Sequence, residues 1–411
     1  MRFLILSQYY PPEIGAAQVR LGAMVDELKK QGHEVEVVTA MPNHPTGQVF
    51  PDYRRKFYLR ECQDGVRIHR LWIYAATGTG IKRVLNYASF TTSSFIGLMK
   101  AQRPDYLFVE SPPLFLGVPA IMWGAHKKVP VIFNVADLWP DSIKELGVMK
   151  DGIAMRWLES LEAWIYRKSS YVNAVTEGIK ETLLTKKNVP QEKILFLPNG
   201  VDISIFRPRE PDLALARQIG ITNKKVLVYA GTMGVAHGLE VALSAMRILQ
   251  DKMPEAHLVL IGGGTERASL ELVAKKWSLS NVTFLQPEAP EYIARLYSLA
   301  FAGLSTLKDS PLFEGTRPSK IFPIMASAKP VIYSGAGEGA RLIEEAKAGI
   351  VVPPEDPAAL ARAIVEISRK PELAEELGNN GRRYVEENLS WSRIVDSWLN
   401  QLQSEVNGAA R

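Results

Sequence analysis

The sequence predicts an α/β protein made of two doubly wound units in tandem. Three observations carry that prediction. Short apolar runs alternate with amphipathic segments, and the alternation restarts midway, after a proline-bearing stretch at Pro198–Pro211. The length of 411 residues also exceeds what a single core usually supports.

The first series of strands is expected at Arg2–Ser7, Glu34–Thr39, Arg67–Trp72, Tyr106–Glu110, Val131–Val135, Tyr171–Val175 and Ile194–Leu197. Helical patterns lie between them, among them Ala16–Gln31, Ile81–Lys100 and Leu116–Lys127. Strands this apolar cannot face water, so a parallel sheet covered on both faces is implied. The second series is Lys225–Gly231, His257–Gly262, Val282–Leu285, Phe301–Leu304, Pro330–Tyr333 and Ile350–Val352. The expected domains are therefore residues 1–200 and 201–388. A C-terminal helix over 389–411, carrying Trp391 and Trp398, is expected to pack back toward the first domain.

Composition narrows the function. Apolar residues make up 46% and charged residues 23%, the balance of a soluble globular enzyme. A single cysteine, Cys62, excludes an internal disulfide framework. The first residues read as a buried strand with no cleavage pattern, so a cytoplasmic location is expected. No run reaches the ~18 apolar residues that span a bilayer. The formal net charge of +5 suits phosphorylated ligands or an anionic membrane face. With no basic run interleaved with aromatics, nucleic acid is not an expected partner.

Ligands of open α/β sheets bind beyond the carboxyl ends of the strands, so the loops there hold the candidates. The segment Glu314–Tyr333 reads as a polar loop, a short helix opened by Pro318 or Ser319, then a buried strand. A helix N-terminus with Arg317 and Lys320 in its first turn suits a diphosphate, although Ser319 could be an ordinary N-cap. After the first strand, Gly15, Ala16 and Ala17 open a helix with little side-chain bulk, fit for close approach of a ligand or merely for a tight turn. Gly231 and Thr232 begin a Gly-rich entry to a helix that again suits phosphate. Gly262-Gly-Gly264 permits a close turn. Gly337, Glu338 and Gly339 follow the Pro330–Tyr333 strand, where Glu338 could hold a ribose diol or simply favour a helix start. Asp137, past the strand Val131–Val135, either contacts a sugar hydroxyl or proton or caps the next helix.

Several motifs are missing. The first turn lacks G-x-G-x-x-G, and there is no Walker loop, no Asp-x-Asp pair and no zinc spacing among the six histidines. No metal is therefore expected. Charge on a leaving diphosphate falls to cations and helix dipoles.

Taken in order, Tyr10-Pro-Pro-Glu-Ile-Gly-Ala-Ala, Asp137-Leu-Trp-Pro, Leu197-Pro-Asn-Gly-Val-Asp, Tyr229-Ala-Gly-Thr, Pro318-Ser-Lys-Ile-Phe and Ala328-Lys-Pro-Val-Ile resemble glycosyltransferase family 4. These are retaining enzymes of GT-B fold, with two Rossmann-like domains facing across a cleft. The likeness is to the branch that builds bacterial surface polysaccharides, including transferases for N-acetylfucosamine and fucose. It implies a nucleotide-sugar donor, expected to be UDP-linked, and a sugar acceptor carried on a lipid, with possible peripheral contact at the membrane.

The resemblance further implies that Lys320 binds the diphosphate, that the Gly15 loop lies near donor phosphate and acceptor, and that the Gly231 and Gly335–Gly339 loops flank the donor. Glu13 joins Asp137 as a candidate for orienting acceptor or sugar. The chain departs from the family at three places. The basic residue often found before Gly238 is His237, and the arginine expected nearer Gly231 is missing, which shifts phosphate binding onto Arg317 and Lys320. Of the family's two glutamates, the second is Pro323 and Glu314 sits one place off the first; the histidine before Asp137 is Ala136. A UDP-sugar 2-epimerase or hydrolase of the same architecture, and a non-catalytic nucleotide-sugar-binding module, are the alternative readings. The sequence leaves oligomeric state open.

Overall fold

A computed structural model describes residues 1–13, 15–44, 46–76, 80–141 and 152–409. The chain divides into two compact units: residues 1–199 with 394–411, and residues 200–393.

The first unit holds an eight-stranded sheet. Its strands are β1 (Arg2–Leu6), β2 (Glu34–Ala40), β3 (Tyr58–Gln63), β4 (Val66–Leu71), β5 (Tyr106–Ser111), β6 (Val131–Val135), β7 (Tyr171–Ala174) and β8 (Ile194–Phe196). Their order is β3-β4-β2-β1-β5-β6-β7-β8, parallel except for β3. β1 is fully inside, flanked by β2 and β5, and Phe3, Leu4, Ile5 and Leu6 are buried on both faces. That two-sided burial is why the strands read as continuous apolar runs.

β3 escapes the sequence reading. Its Tyr-Leu-Arg-Glu-Cys-Gln is half polar because it is an edge strand with alternate residues exposed. A signal was present: Asp64-Gly65, both with positive φ, joins β3 to β4 as a two-residue hairpin turn.

The second unit is a six-stranded, all-parallel sheet. It comprises β9 (Lys225–Ala230), β10 (Ala256–Ile261), β11 (Val282–Leu285), β12 (Ala300–Thr306), β13 (Val331–Ser334) and β14 (Gly349–Val352). The order β11-β10-β9-β12-β13-β14 is the Rossmann order, three strands built outward one way and three the other. In both units the direction of winding reverses beside the first strand, between β1 and β5 and between β9 and β12. Those switch points are where the loops part and a ligand can enter.

The expected boundary at 388/389 shifts. The last helix runs Trp391–Ala409, and its portion from Ile394 onward belongs to the first unit. Trp398 is fully buried there, its ring 5.7 Å from Phe3 and 5.9 Å from Phe108. Its indole Nε1 donates to Asn173 Oδ1 at 3.1 Å. Helix Ile81–Lys100 is core-facing over Tyr87, Phe90, Gly97 and Leu98, while Ile81, Val84 and Leu85 stay exposed on its first turns. No helix among the described residues is long and apolar enough to cross a membrane.

Candidate active site

At the switch point of the second unit, the loop after β9 meets the segment after β12. Thr306 Oγ1 donates to the His237 carbonyl at 2.6 Å, and Lys308 N donates to the Ala236 carbonyl at 2.9 Å. The Gly231 loop is also clamped from the β10 side. Met233 N donates to the Gly263 carbonyl at 2.7 Å, and a side chain at Gly262 would collide with the Gly231 carbonyl. The three glycines after β10 are thus a backbone-packing device for the phosphate-loop candidate, more than a turn. Thr232 is exposed, and its carbonyl accepts from the Tyr229 hydroxyl at 2.6 Å.

Lys320 reaches into this loop. Its Nζ stands 3.3 Å from His237 Nδ1 and 5.4 Å from the centre of the buried Tyr229 ring. A Cβ at Gly231 would lie 3.1 Å from Lys320 Cε, so Gly231, at φ 149°, leaves the lysine its place. The charged ammonium can only donate, so Nδ1 accepts and the ring proton sits on Nε2. The residue as a whole is partly exposed, and its ammonium end lies against His237 and the Tyr229 ring. Burial brings its pKa down to about 7. Burial, with the nearby lysine charge, brings His237 down to about 4 and keeps it neutral. A crowded cation with no carboxylate to answer it among the described residues is a site prepared for an anion.

The short helix is Ile321–Ala326, two or three residues later than expected, and it has no side-chain cap. Ser319 is therefore not an N-cap; it lies exposed in the turn before the helix. Arg317 and Glu338, expected at different parts of a donor, are paired with each other: Nη2 and Oε1 are 2.7 Å apart and both side chains are largely buried. One carboxylate oxygen of Glu338 is thus engaged by Arg317. Arg317 Nε is buried without a hydrogen-bond partner among the described residues. Gly337, at φ 74°, lets the chain pass against the Glu314 backbone, whose carbonyl accepts from Glu338 N at 2.7 Å. Gly339 packs close to Pro318 and the Tyr333 hydroxyl. The structure thus gathers Gly231, Thr232, Arg317, Lys320, Gly337, Glu338 and Gly339 around neighbouring loops of one unit.

In the first unit, Gly15 precedes helix Ala16–Lys30 in extended backbone, with no side-chain cap. Glu13 differs from its expected role. It is 4% exposed, and its Oε1 accepts from Asn43 N at 2.6 Å and His44 N at 2.8 Å. It fastens the loop after β1 to the loop after β2, and burial raises its pKa. Asp137 is exposed just beyond β6; the segment it was expected to cap, 142–151, lies outside the described residues.

A pair the sequence reading missed sits at this unit's switch point. Arg20 is ion-paired with the buried Glu110 at the end of β5, and Asn134 Nδ2 donates to the other carboxylate oxygen at 2.8 Å. Glu110 looked like an interruption in an apolar run, and only folding brings Arg20 to it.

Residues 15–200 match the glycosyl transferase 4-like domain, and residues 214–384 match the glycosyl transferases group 1 domain. A glycosyl transferase named for colanic acid biosynthesis, WcaI of Escherichia coli, is 27% identical over 98% of this chain and 100% of its own length. O-antigen chain mannosyltransferase C of Escherichia coli is 23% identical over 97% of each chain. Among solved structures, HepE of Anabaena in complex with UDP has a TM-score of 0.74 at 15% identity, covering 98% of this chain and 100% of that one. Sucrose-phosphate synthase of Thermosynechococcus elongatus has a TM-score of 0.73 at 20% identity, covering 99% of both. Fold and domain pair together define a glycosyltransferase of GT-B type. The chain belongs to glycosyltransferase family 4.

Proposed function

We propose that this enzyme transfers a sugar, with retention, from a UDP-sugar to a sugar acceptor carried on a lipid, in the assembly of a bacterial surface polysaccharide. The observation that carries the reading is Lys320, set beside His237 and the Gly231 loop at the switch point of the second sheet, with no carboxylate partner among the described residues. A leaving diphosphate gains charge toward the transition state, and a cation placed for that charge lowers the barrier. Arg317, held in place by Glu338, adds its positive charge to the same turn. Glu338 is then a positioning residue. Attack of the acceptor hydroxyl on the same face, with a departing phosphate oxygen taking the proton, needs no protein nucleophile.

The relatives named for colanic acid and O-antigen support a surface-polysaccharide role, and HepE solved with UDP-glucose supports a UDP donor. Another relative, in Corynebacterium glutamicum, is named as GDP-mannose-dependent, so the base is the point to test first. The absence of Asp-x-Asp from the sequence supports transfer without a metal. Ile81, Lys82, Val84 and Leu85, exposed at the start of their helix, support peripheral contact with the inner face of the membrane.

Thermal-shift titration with UDP, GDP and ADP, followed by release of the nucleoside diphosphate with and without a lipid-linked sugar, tests the whole reading. Stabilisation by UDP and acceptor-dependent release are expected. Release of UDP without acceptor would make the protein a hydrolase or epimerase instead. Flotation with anionic liposomes tests the membrane contact, and a protein left at the bottom of the gradient removes it.

A further inference from the structure

The first unit contains a cavity of about 640 Å³ that the donor chemistry does not use. It opens beyond the carboxyl ends of β2 and β4, the side of a parallel sheet where ligands enter. Its floor is apolar, made by Met41 and Ile73, which are buried. Its wall carries the consecutive cations Arg54, Arg55 and Lys56 and the aromatic residues Phe57 and Trp72.

The two aromatic rings are held as a platform. Trp72 N donates to the Phe57 carbonyl at 2.8 Å, and the rings stack at 6.3 Å with only 13° between their planes. Both stay open to solvent, Phe57 at 56% and Trp72 at 43%. Two large stacked rings left exposed beside a cavity are out of place on a surface with no ligand to cover them.

The cations are also uncommitted. Arg54 Nε donates to the Val49 carbonyl at 3.0 Å and Lys56 Nζ to the Asp52 carbonyl at 2.8 Å, both backbone acceptors. No carboxylate pairs with Arg54, Arg55 or Lys56 among the described residues. The nearby acids are Asp52, exposed on the preceding turn, and Glu61, which is engaged by Arg70. Arg55 is held at φ 60°, a left-handed conformation that a non-glycine residue seldom adopts. Behind the wall, the buried Arg70 lies 5.2 Å from the Tyr53 ring centre, and its Nη2 donates to the Pro11 carbonyl at 2.5 Å. The cavity is therefore braced to the loop after β1.

We infer that this cavity is a subsite for a negatively charged saccharide, which stacks a pyranose face on Phe57 and Trp72 and places its anion among Arg54, Arg55 and Lys56. It rests on the glycosyltransferase reading and specifies it: the acceptor presents a sugar bearing a carboxylate or a phosphate. A flat ring pair recognises the apolar face of a sugar, and an arginine fork recognises a planar or tetrahedral anion.

Three disaccharides on one scaffold test it by calorimetry with the full chain: cellobiose, its glucuronosyl counterpart, and cellobiose phosphorylated on the terminal 6-hydroxyl. At least one charged form is expected to bind about tenfold or more tighter than cellobiose, as charge-assisted hydrogen bonds imply. Which charged form binds tighter tells carboxylate from phosphate. Replacing the cations together (Arg54→Ser, Arg55→Ser, Lys56→Ser) should erase that preference, and Trp72→Ala should weaken all forms that bind. Thermal stabilisation by UDP, read on the same variants, should not change. Equal binding of charged and neutral sugars, or a preference that survives loss of the three cations, overturns the subsite. If that happens while UDP still stabilises the wild type, the donor reading stands; a wild type indifferent to all three nucleotides fails the donor reading separately.

Discussion

Lys320 shows what one residue contributes when its surroundings are prepared for a charge it does not yet meet. With its ammonium buried near His237 and its pKa at about 7, part of the ligand-free enzyme holds it uncharged near neutrality. A diphosphate binds the charged form, so UDP affinity should fall as pH rises through 7, by up to about tenfold per pH unit. The fall ends at the higher pKa of the complex. Titrations between about pH 6 and pH 9 check this, and Lys320→Arg, charged throughout, should flatten the profile. For folding the sign is opposite. The folded pKa lies below the unfolded 10.5, so the unfolded chain binds the extra proton between about 7 and 10.5 and stability of the free enzyme rises with pH in that window. Lys320→Ala should lower kcat by about a hundredfold to a thousandfold, read by acceptor-dependent UDP release, with little loss of fold. Turnover within about twofold of wild type would remove the assigned role. Glu110 is a different kind of residue. Removing its carboxylate strands Arg20 in the interior, and Glu110→Ala should cost about 3–5 kcal/mol in urea unfolding.

At the scale of elements, the decisive contacts are between loops that follow neighbouring strands. The Gly231 loop is shaped by the glycines after β10 and tied to the end of β12. Gly262→Ala should therefore weaken UDP binding without touching any ligand-facing side chain, because the new methyl group drives the Gly231 carbonyl out of place. Calorimetric titration with UDP checks it. The motifs after β9, β12 and β13 were legible in the sequence because glycine, proline and charge at a strand end have few other uses. Their mutual arrangement was not. Arg317 and Glu338 lie 21 positions apart, and nothing in either segment announces that they pair. Glu13 misled for a related reason: an acid in a loop reads as available, yet this one is consumed by two backbone amides of another loop.

For the whole molecule, the last helix returns to the first unit and seals it with Trp398 against Phe3 and Phe108. Trp398→Ala should cost the first unit about 3–5 kcal/mol, and Trp398→Phe mainly the indole hydrogen bond to Asn173, about 1 kcal/mol. Because Lys320, Arg317 and the Gly231 loop lie in the second unit, UDP should raise chiefly that unit's unfolding transition in calorimetry while Trp398→Ala lowers the other.

Periodicity, strand apolarity and the restart after Pro198 determined on their own that two largely parallel sheets would form, since apolar runs of that length have nowhere to go but inside. Local chemistry likewise marked the phosphate-loop candidates, because small residues and a lysine next to a helix entry act over a few positions. Tertiary structure alone decided which charges remain without an answering carboxylate. Among the described residues Lys320, Arg54 and Arg55 do; Arg20 and Arg317 do not. Pairing depends on which distant side chains the topology brings within about 3 Å, and a sequence read along one dimension does not contain that distance.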